Sequence, residues 1–179
     1  YTNVDKPLDF DIVTKTIVNI INTGFEAKGW ERPMIMIEPG RYVVGNAGIT
    51  LYTVGSIKDI PNIRKYISVD GGMNENIRPA LYQAKYDALI ANKAEEEKDT
   101  LVTVAGKNCE SGDILIKDIM MANPQSKDLL AIFSTGAYHY SMSSNYNQIP
   151  KPAVVFVKDG ESRIVIRRQT FNDLVNYDV

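Results

Sequence analysis

The chain has 179 residues, with 20 lysines and arginines against 22 aspartates and glutamates, 44% apolar side chains, one histidine and one cysteine. One cysteine rules out an intramolecular disulfide framework and suits a reducing, cytoplasmic setting, and a single Cys with a single His leaves too few ligands for a structural zinc site. A formal charge of −2 gives no overall pull towards nucleic acid, and the longest apolar runs, such as Met34–Ile37 and Ala153–Val157, fall far short of a bilayer span.

From Leu8 to Ala27, Phe10, Val13, Ile17, Ile20 and Ile21 recur at three- and four-residue steps, which predicts a helix with one apolar stripe. Asp9 is its expected N-cap, and Gly29 is placed to close its C-terminus. Met34-Ile35-Met36-Ile37 then reads as a buried strand ending in Glu38-Pro39-Gly40-Arg41. A helix followed by such a strand is half of an α/β unit, whose strands need parallel neighbours. None precedes it, so the chain is expected to begin inside a larger domain.

From Thr50 the texture changes to short β-rich runs: Thr50–Val54, Tyr66–Val69, Leu101–Val104, Ile114–Met120, Leu129–Phe133, Val154–Lys158 and Arg163–Arg167. Turn signals separate them, and Lys158-Asp159-Gly160-Glu161 is the clearest hairpin. The pattern predicts a mainly antiparallel sheet or small barrel, with short helices near Tyr42–Ala47, Arg78–Leu81, Tyr140–Ser143 and Phe171–Val175. Glu95–Asp99 is a charge run that reads as a solvated loop.

Five segments can carry chemistry. Glu38-Pro39-Gly40-Arg41 stands at the end of a predicted α/β strand, where a glycine turn opening a helix favours a phosphate. A plain strand-to-helix turn with a local ion pair explains it as well. Cys109-Glu110-Ser111-Gly112-Asp113 sets a thiol beside a carboxylate; a thiol with a pKa near ~8.5 is mostly protonated at neutral pH and can donate a proton. A small buried hydrophobe is the plainer reading of a lone cysteine, and His139 gives only weak support for a Cys/His pair. Asp70-Gly71-Gly72-Met73-Asn74 leads to Arg78 and Tyr82, four residues apart, a fork and a phenol suited to a carboxylate. Gly136-Ala137-Tyr138 and Ser141–Asn147 are rich in small and hydroxyl residues, which suit phosphate contacts or a polar loop.

In this order the segments, with Arg78-Pro79-Ala80-Leu81-Tyr82 and Ser143-Ser144-Asn145-Tyr146-Asn147, closely resemble the C-terminal part of the diaminopimelate decarboxylases. That family belongs to the alanine-racemase-like group of pyridoxal-phosphate enzymes, with the ornithine and arginine decarboxylases. The resemblance covers the whole chain but only the later part of the family's length, without the lysine that carries the cofactor. It implies an α+β, β-rich fold: residues 1–48 as the end of a (β/α)₈ barrel, and 49–179 as an antiparallel, barrel-like β-domain. One departure is Gly106-Lys107-Asn108-Cys109, where the family often has Gly-Pro before the cysteine.

The resemblance also implies roles. Pyridoxal 5′-phosphate would be held by Glu38, Gly40, Arg41 and Tyr138, with Glu38 keeping a proton on the ring nitrogen. Glu38→Gln is then expected to cut the rate more than cofactor binding. Arg41, Arg78 and Tyr82 would take the distal carboxylate of meso-diaminopimelate, Glu110 its distal ammonium, and Cys109 would supply the proton that replaces carbon dioxide. The Cys109–Glu110 loop would reach into a neighbouring subunit, giving a homodimer with shared sites. A decarboxylase of ornithine, lysine or arginine, and a non-catalytic decarboxylase-like module, are the alternatives. No metal, nucleic acid or membrane partner is expected.

Overall fold

The computed structural model describes residues 2–179. They form two compact units, Asn3–Gly40 and, with Thr2, Arg41–Val179.

The smaller unit is built on helix α1, Phe10–Glu26. Asp9 caps it as the sequence predicts, its carboxylate accepting the Ile12 N–H at 3.1 Å. At the other end Gly29 takes φ +65°, and the Gly29 and Trp30 N–H groups bond the Glu26 and Phe25 carbonyls. That left-handed glycine turn closes the helix, and the Trp30 ring packs edge-on against Phe25 at 5.7 Å. The expected strand at Met34–Ile37 is not formed: the segment is unpaired, and Met34 and Met36 are each 86% exposed. An apolar run becomes a buried strand only when neighbouring strands take up its backbone groups and side chains, and none is present among the described residues of this unit.

The larger unit is a six-stranded sheet in the order β3-β6-β1-β2-β4-β5, with a separate hairpin β7-β8. The strands are β1 Ile49–Ile60, β2 Arg64–Val69, β3 Ala88–Ile90, β4 Thr100–Ala105, β5 Ile114–Met121, β6 Leu129–Phe133, β7 Val154–Lys158 and β8 Glu161–Ile166. All pairings are antiparallel except β2 with β4. The sheet curls until its edge strands β3 and β5 touch, making a nearly closed barrel. Alternate residues point inward, so Tyr52, Val54, Ile67, Val69, Ala88, Ile90, Val102, Val104, Leu130 and Ile132 fill the interior. Strand β3 has no period-2 signal long enough to be read from three residues, and β1 runs well past its expected end.

The expected helix at Tyr42–Ala47 is two 3₁₀ turns, Gly40–Tyr42 and Gly45–Ala47. The second is bonded to the segment after β6: the Thr135 N–H donates to the Gly48 carbonyl and the Gly136 N–H to that of Gly45, both at 3.0 Å. A Cβ on Gly136 would lie 1.9 Å from the Val44 oxygen, so only glycine permits this backbone contact. The larger compact unit runs from Arg41 and includes the second of these turns. Helix α2, Arg78–Tyr82, and helix α3, Phe171–Leu174, stand where they are expected. In the hairpin turn Asp159 and Gly160 have φ of 52° and 80°, the paired left-handed residues of a tight two-residue turn. No helix among the described residues is long and apolar enough to cross a membrane.

Candidate active site

Two loops at one end of the sheet are fastened by a buried carboxylate. Asp113, 3% exposed, accepts the Met73 N–H at 2.7 Å, the Asn108 N–H at 2.8 Å and the Asn108 amide at 2.8 Å. The Asn108 amide also donates to Asn74 Oδ1 at 3.0 Å. The glycines around this carboxylate are required by space: a Cβ on Gly72 or Gly106 would come within 2.4 or 2.2 Å of it. The Lys107 N–H donates to the Gly71 carbonyl at 2.9 Å, a bond that a proline at this position could not make. Glu75 is buried beside the turn, accepting from the Gly72 N–H at 2.8 Å; burial pushes its carboxyl above the usual range.

The turn delivers Arg78 to the start of α2, and Tyr82 follows one helical turn later on the same face. The Arg78 guanidinium lies 4.9 Å from the Tyr82 ring centroid and 5.7 Å from that of Tyr138. The Arg41 guanidinium stands 5.6 Å from the same Tyr138 ring. Tyr138 itself is left-handed, at φ 56°, on the loop held by the Gly45–Gly136 contact. Two cations on one aromatic ring make a local positive field with several N–H and O–H donors, the chemistry of a phosphate or carboxylate site. Tyr86 lies buried behind this cluster; burial raises its phenol pKa, and the neighbouring Arg78, Asn76 and Arg41 side chains draw it partly back.

Cys109 and Glu110 are both exposed, so the thiol is not the buried hydrophobe that composition favours. The Cys109 N–H donates to Asn147 Oδ1 at 2.6 Å. Glu110 Oε1 accepts from the Gly112 N–H at 3.1 Å and the Ser111 hydroxyl at 3.3 Å, and Oε2 from the Tyr146 hydroxyl at 3.4 Å. These bonds, led by the Gly112 N–H, hold the Glu110 carboxyl below its usual range, so it is anionic at neutral pH. His139 is buried with its Nε2 3.3 Å from Thr50 Oγ1, and burial lowers its pKa to about 4. It serves the interior as a neutral ring and makes no pair with Cys109.

Of the residues expected from sequence, Arg41, Arg78, Tyr82 and Tyr138 form one cluster, and Cys109 with Glu110 lies on the loop fastened by Asp113. Glu38 and Gly40 belong to the smaller unit, Glu38 on an exposed stretch outside any helix or strand and Gly40 at φ 57°. Asn74, Glu75, Tyr86, Asn108 and Tyr146 join the site only through the fold, because isolated amides, acids and phenols carry no positional signal until a fold gathers them. Gly106 and Asp113 flanking the cysteine were the one available clue to the buried fastening.

The family described as "Pyridoxal-dependent decarboxylase, C-terminal sheet domain" matches residues 41–136. The diaminopimelate decarboxylase of Bacillus subtilis is 53% identical over 179 residues, covering 100% of this chain and 41% of the relative. The crystal structure of diaminopimelate decarboxylase from M. jannaschii superposes with a TM-score of 0.87 at 32% identity, over 100% of this chain and 40% of that one. A second structure of that enzyme, in complex with L-lysine, gives the same TM-score of 0.87. The chain thus spans about two fifths of the length of these relatives. With a family model matching residues 41–136 and a superposition over the whole chain, the chain belongs to the pyridoxal-dependent decarboxylases, whose C-terminal sheet domain it carries.

Proposed function

We propose that the complete protein decarboxylates meso-2,6-diaminopimelate to L-lysine and carbon dioxide with pyridoxal 5′-phosphate, as a cytoplasmic enzyme of lysine biosynthesis. One observation carries this reading: Arg41 and Arg78 share the Tyr138 ring, while the same domain presents the anionic Glu110 beside Cys109. Diaminopimelate differs from ornithine and lysine by a distal carboxylate next to its distal ammonium. A site for it needs a cation for the first and an anion for the second, and this domain has both.

The residues present fit the cofactor, since Arg41 and the Tyr138 hydroxyl form a donor set suited to its phosphate. When bound, pyridoxal phosphate supplies a ring that accepts the electrons left at Cα as carbon dioxide departs. Glu38 would hold a proton on the ring nitrogen, and the Gly40 and Arg41 N–H groups would bind the phosphate. The Arg41 and Arg78 guanidiniums and the Tyr82 hydroxyl orient the substrate's far carboxylate, and Glu110 takes its far ammonium. The Cys109 thiol delivers the proton that replaces the lost carboxylate at Cα. Residues 1–48 are the end of the cofactor-binding (β/α)₈ barrel, and the Cys109–Glu110 loop completes the site of a second subunit in a homodimer. The L-lysine bound in the relative's structure, the expected product, supports this substrate.

The test is carbon dioxide release by the complete, cofactor-loaded protein from meso-diaminopimelate, ornithine, lysine and arginine. Turnover of diaminopimelate well above the others is the expected result. Faster turnover of ornithine overturns the roles given to Arg78 and Glu110.

A further inference from the structure

The segment from Tyr140 to Gln148 is not used by the roles above, yet it touches the loop bearing the thiol and the carboxylate. Its own geometry is fixed. The Ser144 N–H donates to the Asn74 carbonyl at 2.8 Å, and the Asn145 amide donates to the Ile149 carbonyl at 2.9 Å and to Gln169 Oε1 at 2.7 Å. Asn147 and Gln148 then adopt left-handed backbone angles, φ 53° and 58°, a conformation that asparagine tolerates better than most side chains. From this anchored turn Asn147 offers its side-chain carbonyl to the Cys109 N–H, and Tyr146 offers its hydroxyl to Glu110.

The consequence is local and specific. Two successive N–H groups are caught by different parts of the chain, Asn108 by Asp113 and Cys109 by Asn147. An exposed loop with both bonds has far fewer backbone states than one with neither, and the aim of the thiol follows from the backbone of its own residue. For Glu110, the Gly112 and Ser111 donors occupy Oε1, so the Tyr146 hydroxyl sets where Oε2 points.

We propose that Asn147 and Tyr146 are positioning residues of the decarboxylation reaction, Asn147 aiming the Cys109 thiol and Tyr146 orienting the Glu110 carboxylate. The inference rests on the function proposed above, because that function gives the thiol and the carboxylate their tasks.

The test uses three variants of the complete, cofactor-loaded protein. Asn147→Gly keeps the left-handed backbone and loses the acceptor; Asn147→Asp keeps an acceptor; Tyr146→Phe loses only the hydroxyl. Asn147→Gly should lower kcat about tenfold or more with little change in KM, as a misdirected proton donor does, and Asn147→Asp should recover most of it. Tyr146→Phe should raise the KM for diaminopimelate about three- to tenfold with kcat nearly unchanged. A second readout needs no turnover: the rate and pH profile of Cys109 alkylation by iodoacetamide, followed on its own peptide by mass spectrometry, should change in Asn147→Gly and return towards wild type in Asn147→Asp.

Equal losses in the two Asn147 variants, or a fall in kcat that only tracks a fall in Tm while alkylation is unchanged, overturn the role of Asn147. An unchanged KM in Tyr146→Phe overturns that of Tyr146. If the wild-type protein does not turn over diaminopimelate, the proposed function fails, and the alkylation series still decides whether Asn147 sets the thiol.

Discussion

Asp113 accepts the backbone N–H of Met73 at 2.7 Å across 40 residues of chain, and the bond joins the loop of Cys109 to the turn that delivers Arg78. Asn108 brings two further donors to the same carboxylate, each at 2.8 Å. Removing a buried acceptor leaves each donor with its full desolvation cost, about 1–3 kcal/mol. Asp113→Ala should therefore destabilise the complete protein by at least about 2 kcal/mol in urea unfolding, with activity falling before the fold is lost.

The glycines beside that carboxylate give an independent check. A Cβ on Gly106 would lie 2.2 Å from Asp113, too close for any small adjustment. Gly106→Ala should cost about 1–3 kcal/mol by overpacking, measured in the same unfolding experiment. Combined with Asp113→Ala, which removes the obstructing oxygens, the two costs should be less than additive.

Arg78 should not be replaceable by lysine. Its guanidinium lies within cation–π range of both Tyr82 and Tyr138, and a lysine retains the charge but not the planar fork of paired donors. Steady-state kinetics of Arg78→Lys should show kcat/KM for diaminopimelate reduced about 100-fold, with kcat/KM for ornithine altered much less.

Burial of His139 makes stability depend on pH in a predictable direction. Its folded pKa of about 4 lies below the ordinary imidazole value, so the unfolded chain binds a proton that the folded chain refuses. Stability due to this group is intact above about pH 6.5 and declines as the pH falls towards 4, by up to about 3 kcal/mol. His139→Gln should flatten the decline between pH 6.5 and 4 in urea midpoints measured against the wild type.

Much of the larger unit was legible because its strands are short β-rich runs and many of the turns between them carry Asp, Asn and Gly. The hairpin at Asp159-Gly160 and the glycine that closes α1 are local decisions, and both are legible in the residues themselves. Met34–Ile37 misled because an apolar run records a wish for burial, while ladder bonds need a second strand. The parallel pairing of β2 with β4 was equally invisible, since strand order is a long-range property.

The sequence by itself determined the family, through the order of Glu38-Pro39-Gly40-Arg41, Asp70-Gly71-Gly72, Arg78, Cys109-Glu110 and Gly136-Ala137-Tyr138, and with it the chemistry each residue type can perform. Only the tertiary structure decided which of them meet: Arg41 and Arg78 on one tyrosine ring, Asp113 under the Gly-Gly turn, Asn147 on the Cys109 backbone. The reason is physical. Residue type fixes charge, acidity and donor count, whereas proximity between distant segments follows from how the sheet curls and pairs, and single glycines and left-handed turns then bring the loops within hydrogen-bonding reach.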